Sequence, residues 1–166
     1  MILTIGNKVV YPSQGPCLIG PVVNKVIDGR PISFYRLALL DDSGGELLVP
    51  VDKAQTIGIR PLLNRSDIPR VLNLLKEPSE TDKDWKHRAN DNFKLLISGS
   101  AFDLAEVVKT LTKLGEKKAL SFRESRTLEK ARKLLIGEIS EALGETKSAA
   151  ENQIDEALKA RKSESS

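Results

Sequence analysis

The spacing of apolar side chains changes once along the chain, close to residue 64. Before that point, β-branched and aromatic residues come in short runs separated by turn formers. Val9-Val10-Tyr11 is closed by Pro12-Ser13-Gln14-Gly15, and runs over 18–27 and 32–40 follow. Between those two runs Asp28-Gly29 is a two-residue hairpin signal of type I′, because both central residues must take positive φ. Asp42-Ser43-Gly44-Gly45 forms a second turn into Glu46-Leu47-Leu48-Val49-Pro50. Pro50 lacks an amide proton and belongs at a strand end or edge. Four or five short antiparallel strands predict a small, strongly bent sheet or barrel.

From Ser66 onward the period is helical. Ser66 is placed to cap a helix over 66–77 that carries Pro69 in its first turn and stops before Pro78. Thr81 opens a second helix, with Trp85, Ala89, Phe93 and Leu96 on one face and Gly99 at its end. Ser100 opens a third, burying Leu104, Val107, Val108 and Leu111, with Gly115 near its end. Ser121-Phe122-Arg123-Glu124 fits a capping box for a long fourth helix carrying Leu128, Ala131, Leu135 and Leu143 up to Gly144. Thr146 caps a fifth, with Ile154 and Leu158 inside, and the end from Lys162 is expected to fray. The pattern predicts an α+β chain: a β domain over 1–64 and a compact five-helix domain over 66–162.

Charge refines this picture more than it decides it. The formal net charge is +3, spread unevenly. Residues 67–135 hold fifteen basic against eleven acidic side chains, whereas 136–166 hold four against seven. The basic clusters are Lys86-His87-Arg88, Lys117-Lys118, Arg123 with Arg126, and Lys130 with Arg132-Lys133. They read either as solvated helix faces or as a phosphate-binding surface assembled by packing.

Signals for catalysis are missing: no Walker loop, no dinucleotide fingerprint, no HExxH and no paired-cysteine spacing. His87 is the sole histidine, which rules out a histidine-based triad or a two-histidine metal site. Cys17 is the sole cysteine and lies in an apolar stretch, so it reads as a small buried hydrophobe. Neither catalytic residues, metal ligands nor a cofactor are expected. No apolar run nears the ~20 residues of a membrane span, and residues 1–4 lack a basic leader, which predicts a cytoplasmic protein.

Trp85 is the only tryptophan, set among Asp82, Lys83, Asp84 and Lys86. Its spacing to Ala89 and Phe93 suits a core anchor. Its place in the first turn of a charged helix suits an apolar wedge at a domain rim, able to enter a minor groove or stack on an unstacked base step. Spacing leaves both open.

The order of several short pieces resembles the CarD/CdnL family of bacterial transcription regulators. They are Ile5-Gly6 with Val9-Val10-Tyr11-Pro12 and Gly15, Val49-Pro50-Val51, Gly58-Ile59-Arg60, Trp85 with Arg88, Ser98-Gly99, Ala105-Glu106-Val107-Val108 with Leu111, and Lys130-Ala131-Arg132 with Leu135 and Gly137-Glu138. The resemblance implies a Tudor-like, SH3-resembling N-terminal domain that binds the β subunit of RNA polymerase in the sigma-containing holoenzyme. It implies too a helical domain that meets promoter DNA at the upstream edge of the transcription bubble. There the residue matching Trp85 wedges into the minor groove and stabilises the open complex. DNA contacts then fall to Trp85, Lys86, Arg88, Arg126 and Lys130, with Asn90 standing where relatives can carry a basic residue. Polymerase contacts fall to Lys25, Leu48 and Pro50, supported by pairing along an exposed strand edge. The implied protein is a monomeric, nucleoid-associated, non-enzymatic factor. The rival reading is a scaffold on polymerase with no functional DNA contact. The polymerase-binding module of the transcription-repair coupling factor shares the N-terminal fold but continues into a motor that 166 residues cannot hold.

Overall fold

A computed structural model describes residues 3–77, 94, 96 and 100–164. The chain is α+β, an antiparallel sheet followed by helices, in two compact units, Met1–Leu62 and Leu63–Ser166.

In the first unit the strands are β1 (Lys8–Tyr11), β2 (Gly15–Ile19), β3 (Val23–Ile27), β4 (Arg30–Leu39), β5 (Glu46–Pro50) and β6 (Arg60–Pro61). The long β4 organises the sheet. Its Leu37 and Ala38 pair with β2 on one edge and with β5 on the other, and Phe34 is likewise shared between β3 and β5. Thus β2 and β3 lie end to end along one edge of β4. The run over 18–27 is not one even strand. Ile19 faces Leu37 and Val23 faces Phe34, so three residues on one side oppose two on the other. That extra residue is a bulge, and it bends the sheet. At the bulge the Gly20 amide donates to the Arg36 carbonyl at 2.7 Å. β1 then pairs with β2 and β6, and among the described residues β5 pairs with β4 alone.

The hairpin turn is as its sequence requires: Asp28 has φ 51° and Gly29 φ 76°. One face of the sheet carries Val9, Cys17, Ile19, Tyr35, Leu37 and Val49, all buried, with Ala54 of the short helix α1 (Ala54–Ile57) and Ile59 completing the core. Pro50 ends β5, where its missing amide proton does no harm.

The second unit contains α2 (Ile68–Lys76), α3 (Ala101–Lys117), α4 (Phe122–Leu143) and α5 (Lys147–Glu164), and Lys94 and Leu96 are also helical. α2 packs on α3 and α5, and α4 packs on the same two. Val71, Leu104, Ala105, Val107, Val108, Leu135, Ile139 and Ile154 have no appreciable exposure and build the core, with Leu111 and Leu158 beside them.

The start of α2 corrects the sequence reading. Ser66 does not cap α2: it lies inside a 3-10 turn over Arg65–Asp67, and Asp67 holds the cap position without a side-chain bond. Ser100 sits at the start of α3 as expected, without a side-chain cap. α5 continues through Glu164. Elsewhere the local chemistry holds. Ser121 accepts the Glu124 amide at 3.1 Å while Glu124 accepts the Ser121 amide at 2.8 Å, and Gly144 closes α4 at φ 67°. Thr146 accepts the Ala149 amide at 3.0 Å at the start of α5. The expected second helix lies largely outside the described residues.

Candidate functional site

Strand register brings Lys25, Leu48 and Pro50 to one face of the sheet. Residues paired across antiparallel strands share a face, and faces alternate along each strand. Leu48 pairs with Arg36, Pro50 with Phe34, and Lys25 with Ile32, while 32, 34 and 36 alternate with the buried Tyr35 and Leu37. The three residues therefore stand opposite the core. Leu48 is 41% exposed, Lys25 is exposed and Pro50 half-buried. Phe34 and Ile32 fill in between them, and Leu18 extends the apolar surface beyond Ala38, its partner on β4. Arg36 donates to Glu46 through Nε and Nη2, both at 2.9 Å, next to Leu48 on this face. An exposed pair of this kind adds little stability, but it fixes the charged border of an apolar patch.

A second surface runs along α4. Phe122, Arg126, Lys130 and Lys133 recur at helical spacing and are exposed, on the side away from Ala131 and Leu135. Phe122 is 78% exposed, and the Arg126 guanidinium lies over its ring at 5.4 Å from the centroid. An exposed aromatic beneath a cation presents a flat apolar face with a phosphate-binding group fixed beside it. Phe122 escaped the sequence reading because it lies inside a capping-box motif, which already accounted for the segment. Its signal was phase: it does not fall on the helix face that Ala131 and Leu135 define. Arg132 has a different task. It is half-buried and ties α4 to α5 through Asp155 at 3.0 Å and Glu151 at 3.8 Å.

Trp85, Lys86 and Arg88, together with His87 and Asn90, lie outside the described residues. Nearby, Lys94 is exposed and Leu96 is buried in the helical core.

Two charges inside the helical unit were not foreseen. Lys109 is 4% exposed and meets Glu106 at 3.3 Å. Glu138 is 1% exposed, and its Oε2 accepts the Leu63 amide at 2.9 Å. A buried charge is tolerable only with such partners. Cys17 is fully buried, and burial pushes its thiol up to about 11, leaving little nucleophilic thiolate near neutral pH. Among the described residues no group of three or more histidine, cysteine, aspartate or glutamate side chains could hold a metal ion. No helix among them is long and apolar enough to cross a membrane.

Two family models match the chain. Residues 70–155 match the CarD C-terminal domain, and residues 3–63 match the CarD-like/TRCF RID domain. The candidate transcription factor YdeB of Bacillus subtilis (strain 168) is 26% identical over 144 residues, covering 86% of this chain and 93% of YdeB. Among solved structures, the solution NMR structure of the 72-residue N-terminal domain of Myxococcus xanthus CarD is 34% identical. That match covers 36% of this chain and 77% of that domain, with a TM-score of 0.30.

Proposed function

This chain belongs to the CarD family, and from that premise we propose that it is a non-enzymatic transcription factor acting on the promoter open complex. The β unit holds the β subunit of RNA polymerase within the sigma-containing holoenzyme. The helical unit holds promoter DNA at the upstream edge of the bubble, where Trp85 wedges into the minor groove and makes reannealing costly. The protein works as a monomer in the cytoplasm, associated with the nucleoid, and needs no cofactor.

The observation that carries the DNA half is the exposed stripe of α4, where Arg126 stacks on Phe122 and Lys130 follows one turn later. Lys86, Arg88, Arg126 and Lys130 neutralise phosphates, and Phe122 adds an apolar contact to sugar or base. For the polymerase half, the support is the shared outer face of Lys25, Leu48 and Pro50, next to the β5 edge. Leu48 gives an apolar contact and Lys25 a point charge, without the bidentate fork of arginine. A polymerase strand added along β5 supplies backbone pairing.

Two measurements address the halves separately. Trp85 is the only tryptophan, so intrinsic fluorescence reports on it alone. Fork-junction DNA carrying an unstacked step should quench and shift its emission. The affinity should fall with salt at a log–log slope of about −3 to −4, as expected for four phosphate contacts. Binding indifferent to salt would instead support a scaffold without functional DNA contact. For the other half, Leu48→Asp should weaken binding to the polymerase β subunit at least about tenfold, because it desolvates a charge against an apolar contact. Unchanged binding would remove Leu48 from that interface.

A further inference from the structure

The short stretch where the β unit ends and the helical unit begins is fixed on both sides. Pro61 is paired with Val9 in the sheet, so the chain is held up to that residue. Two residues later the Leu63 amide donates to the Glu138 carboxylate at 2.9 Å, and the Leu63 side chain packs on the helical core. Asn64 and the 3-10 turn over Arg65–Asp67 follow, with the Asp67 amide donating to the Asn64 carbonyl at 2.9 Å. Only Leu62 remains without one of these anchors.

Glu138 is costly where it stands. It is 1% exposed on a helix whose neighbouring inward positions are Leu135 and Ile139. An apolar residue would pack there without desolvating a carboxylate. The carboxylate gives a backbone amide 75 residues away in sequence a charge-assisted acceptor.

We propose that Glu138 is a positioning residue: by holding the Leu63 amide it reduces the free tether between the two units to Leu62. This rests on the two-part function proposed above. Once the β unit is on polymerase, the helical unit meets DNA as a tethered ligand, and tether length sets its effective concentration. Release of the Leu63 amide lengthens the tether from one residue to two, because Asn64 keeps its bond from the Asp67 amide. A longer tether spreads the helical unit over more positions and so lowers its effective concentration at the DNA.

Three full-length variants test this. Glu138→Ala removes the acceptor, Glu138→Gln keeps a neutral one, and a Gly-Gly insertion between Leu62 and Leu63 makes a tether of three residues without touching the core. In Glu138→Ala, hydrogen exchange at the Leu63 amide should accelerate at least about tenfold, and in Glu138→Gln by less. With holoenzyme and promoter, the insertion should shorten open-complex lifetime at least about twofold, with Glu138→Ala between it and wild type and Glu138→Gln restoring much of the loss. Polymerase affinity should not change. Leu63 exchange unaltered in a folded Glu138→Ala variant would overturn the anchor. A wild-type lifetime in the insertion variant would overturn the tether, provided Trp85→Ala shortens it under the same conditions. If Trp85→Ala has no effect either, the open-complex reading has failed, and Leu63 exchange decides the anchor alone.

Discussion

Replacing Leu135 by alanine should lower the unfolding free energy of the helical unit by about 3–4 kcal/mol, the range for a leucine removed from a packed interior. Leu135 has no exposed surface and stands in the cluster formed by Leu104, Val108, Ile139 and Ile154. It lies near the middle of α4, a 22-residue helix packed on both α3 and α5, so the cavity has few ways to close. For a unit of this size the midpoint of thermal unfolding should fall by roughly 15–25 °C. Urea titration followed by helical circular dichroism measures the loss directly. Arg126→Ala, on the exposed side of the same helix, should change stability by less than about 1 kcal/mol. A loss below about 1 kcal/mol for Leu135→Ala would mean that α4 is not packed as described. The pair also separates folding from binding, because Arg126→Ala should weaken DNA contact in a fully folded protein.

Much of the fold was legible because its signals are local. The hairpin needs positive φ at two successive residues, and Asp28-Gly29 are among the few pairs that accept it. The capping box at Ser121 and Glu124 is complete within four residues, and Gly144 ends α4 for the same kind of reason. The face formed by Leu104, Val107, Val108 and Leu111 follows from period alone. Part of what the residues hid depends on partners distant in sequence. The bulge over 20–22 is invisible in an apolar run, since only the opposing residues on β4 reveal that one residue is extra. Ser66 is a better capping residue by type than by position, because the 3-10 turn moves the helix start to Asp67. Glu138 and Lys109 read as surface charges under any binary pattern, yet both lie inside, each with a partner that makes it tolerable.

The candidate site divides in the same way. Lys25, Leu48 and Pro50 follow from resemblance. That they share a face follows from the pairing of three strands, which no local motif encodes. On α4, Arg126 and Lys130 were visible as charges, whereas the ring of Phe122 beneath Arg126 needed the helix phase to appear. Lys86 and Arg88, beside Trp85, are placed by resemblance alone.

If Trp85 slows collapse of the transcription bubble as proposed, the lifetime of the open complex registers it. Holoenzyme and a linear promoter are incubated with saturating wild-type protein or the Trp85→Ala variant, challenged with competitor, and followed as open complexes decay. A wedge at an unstacked step must leave before the strands close, and unstacking is worth a few kcal/mol, of which a partial loss already gives a tenfold change. With Trp85→Ala the lifetime should be at least about tenfold shorter, from a variant that folds and binds the polymerase β subunit as wild type does. A folded, polymerase-bound Trp85→Ala variant that sustains the wild-type lifetime would contradict the proposed wedge.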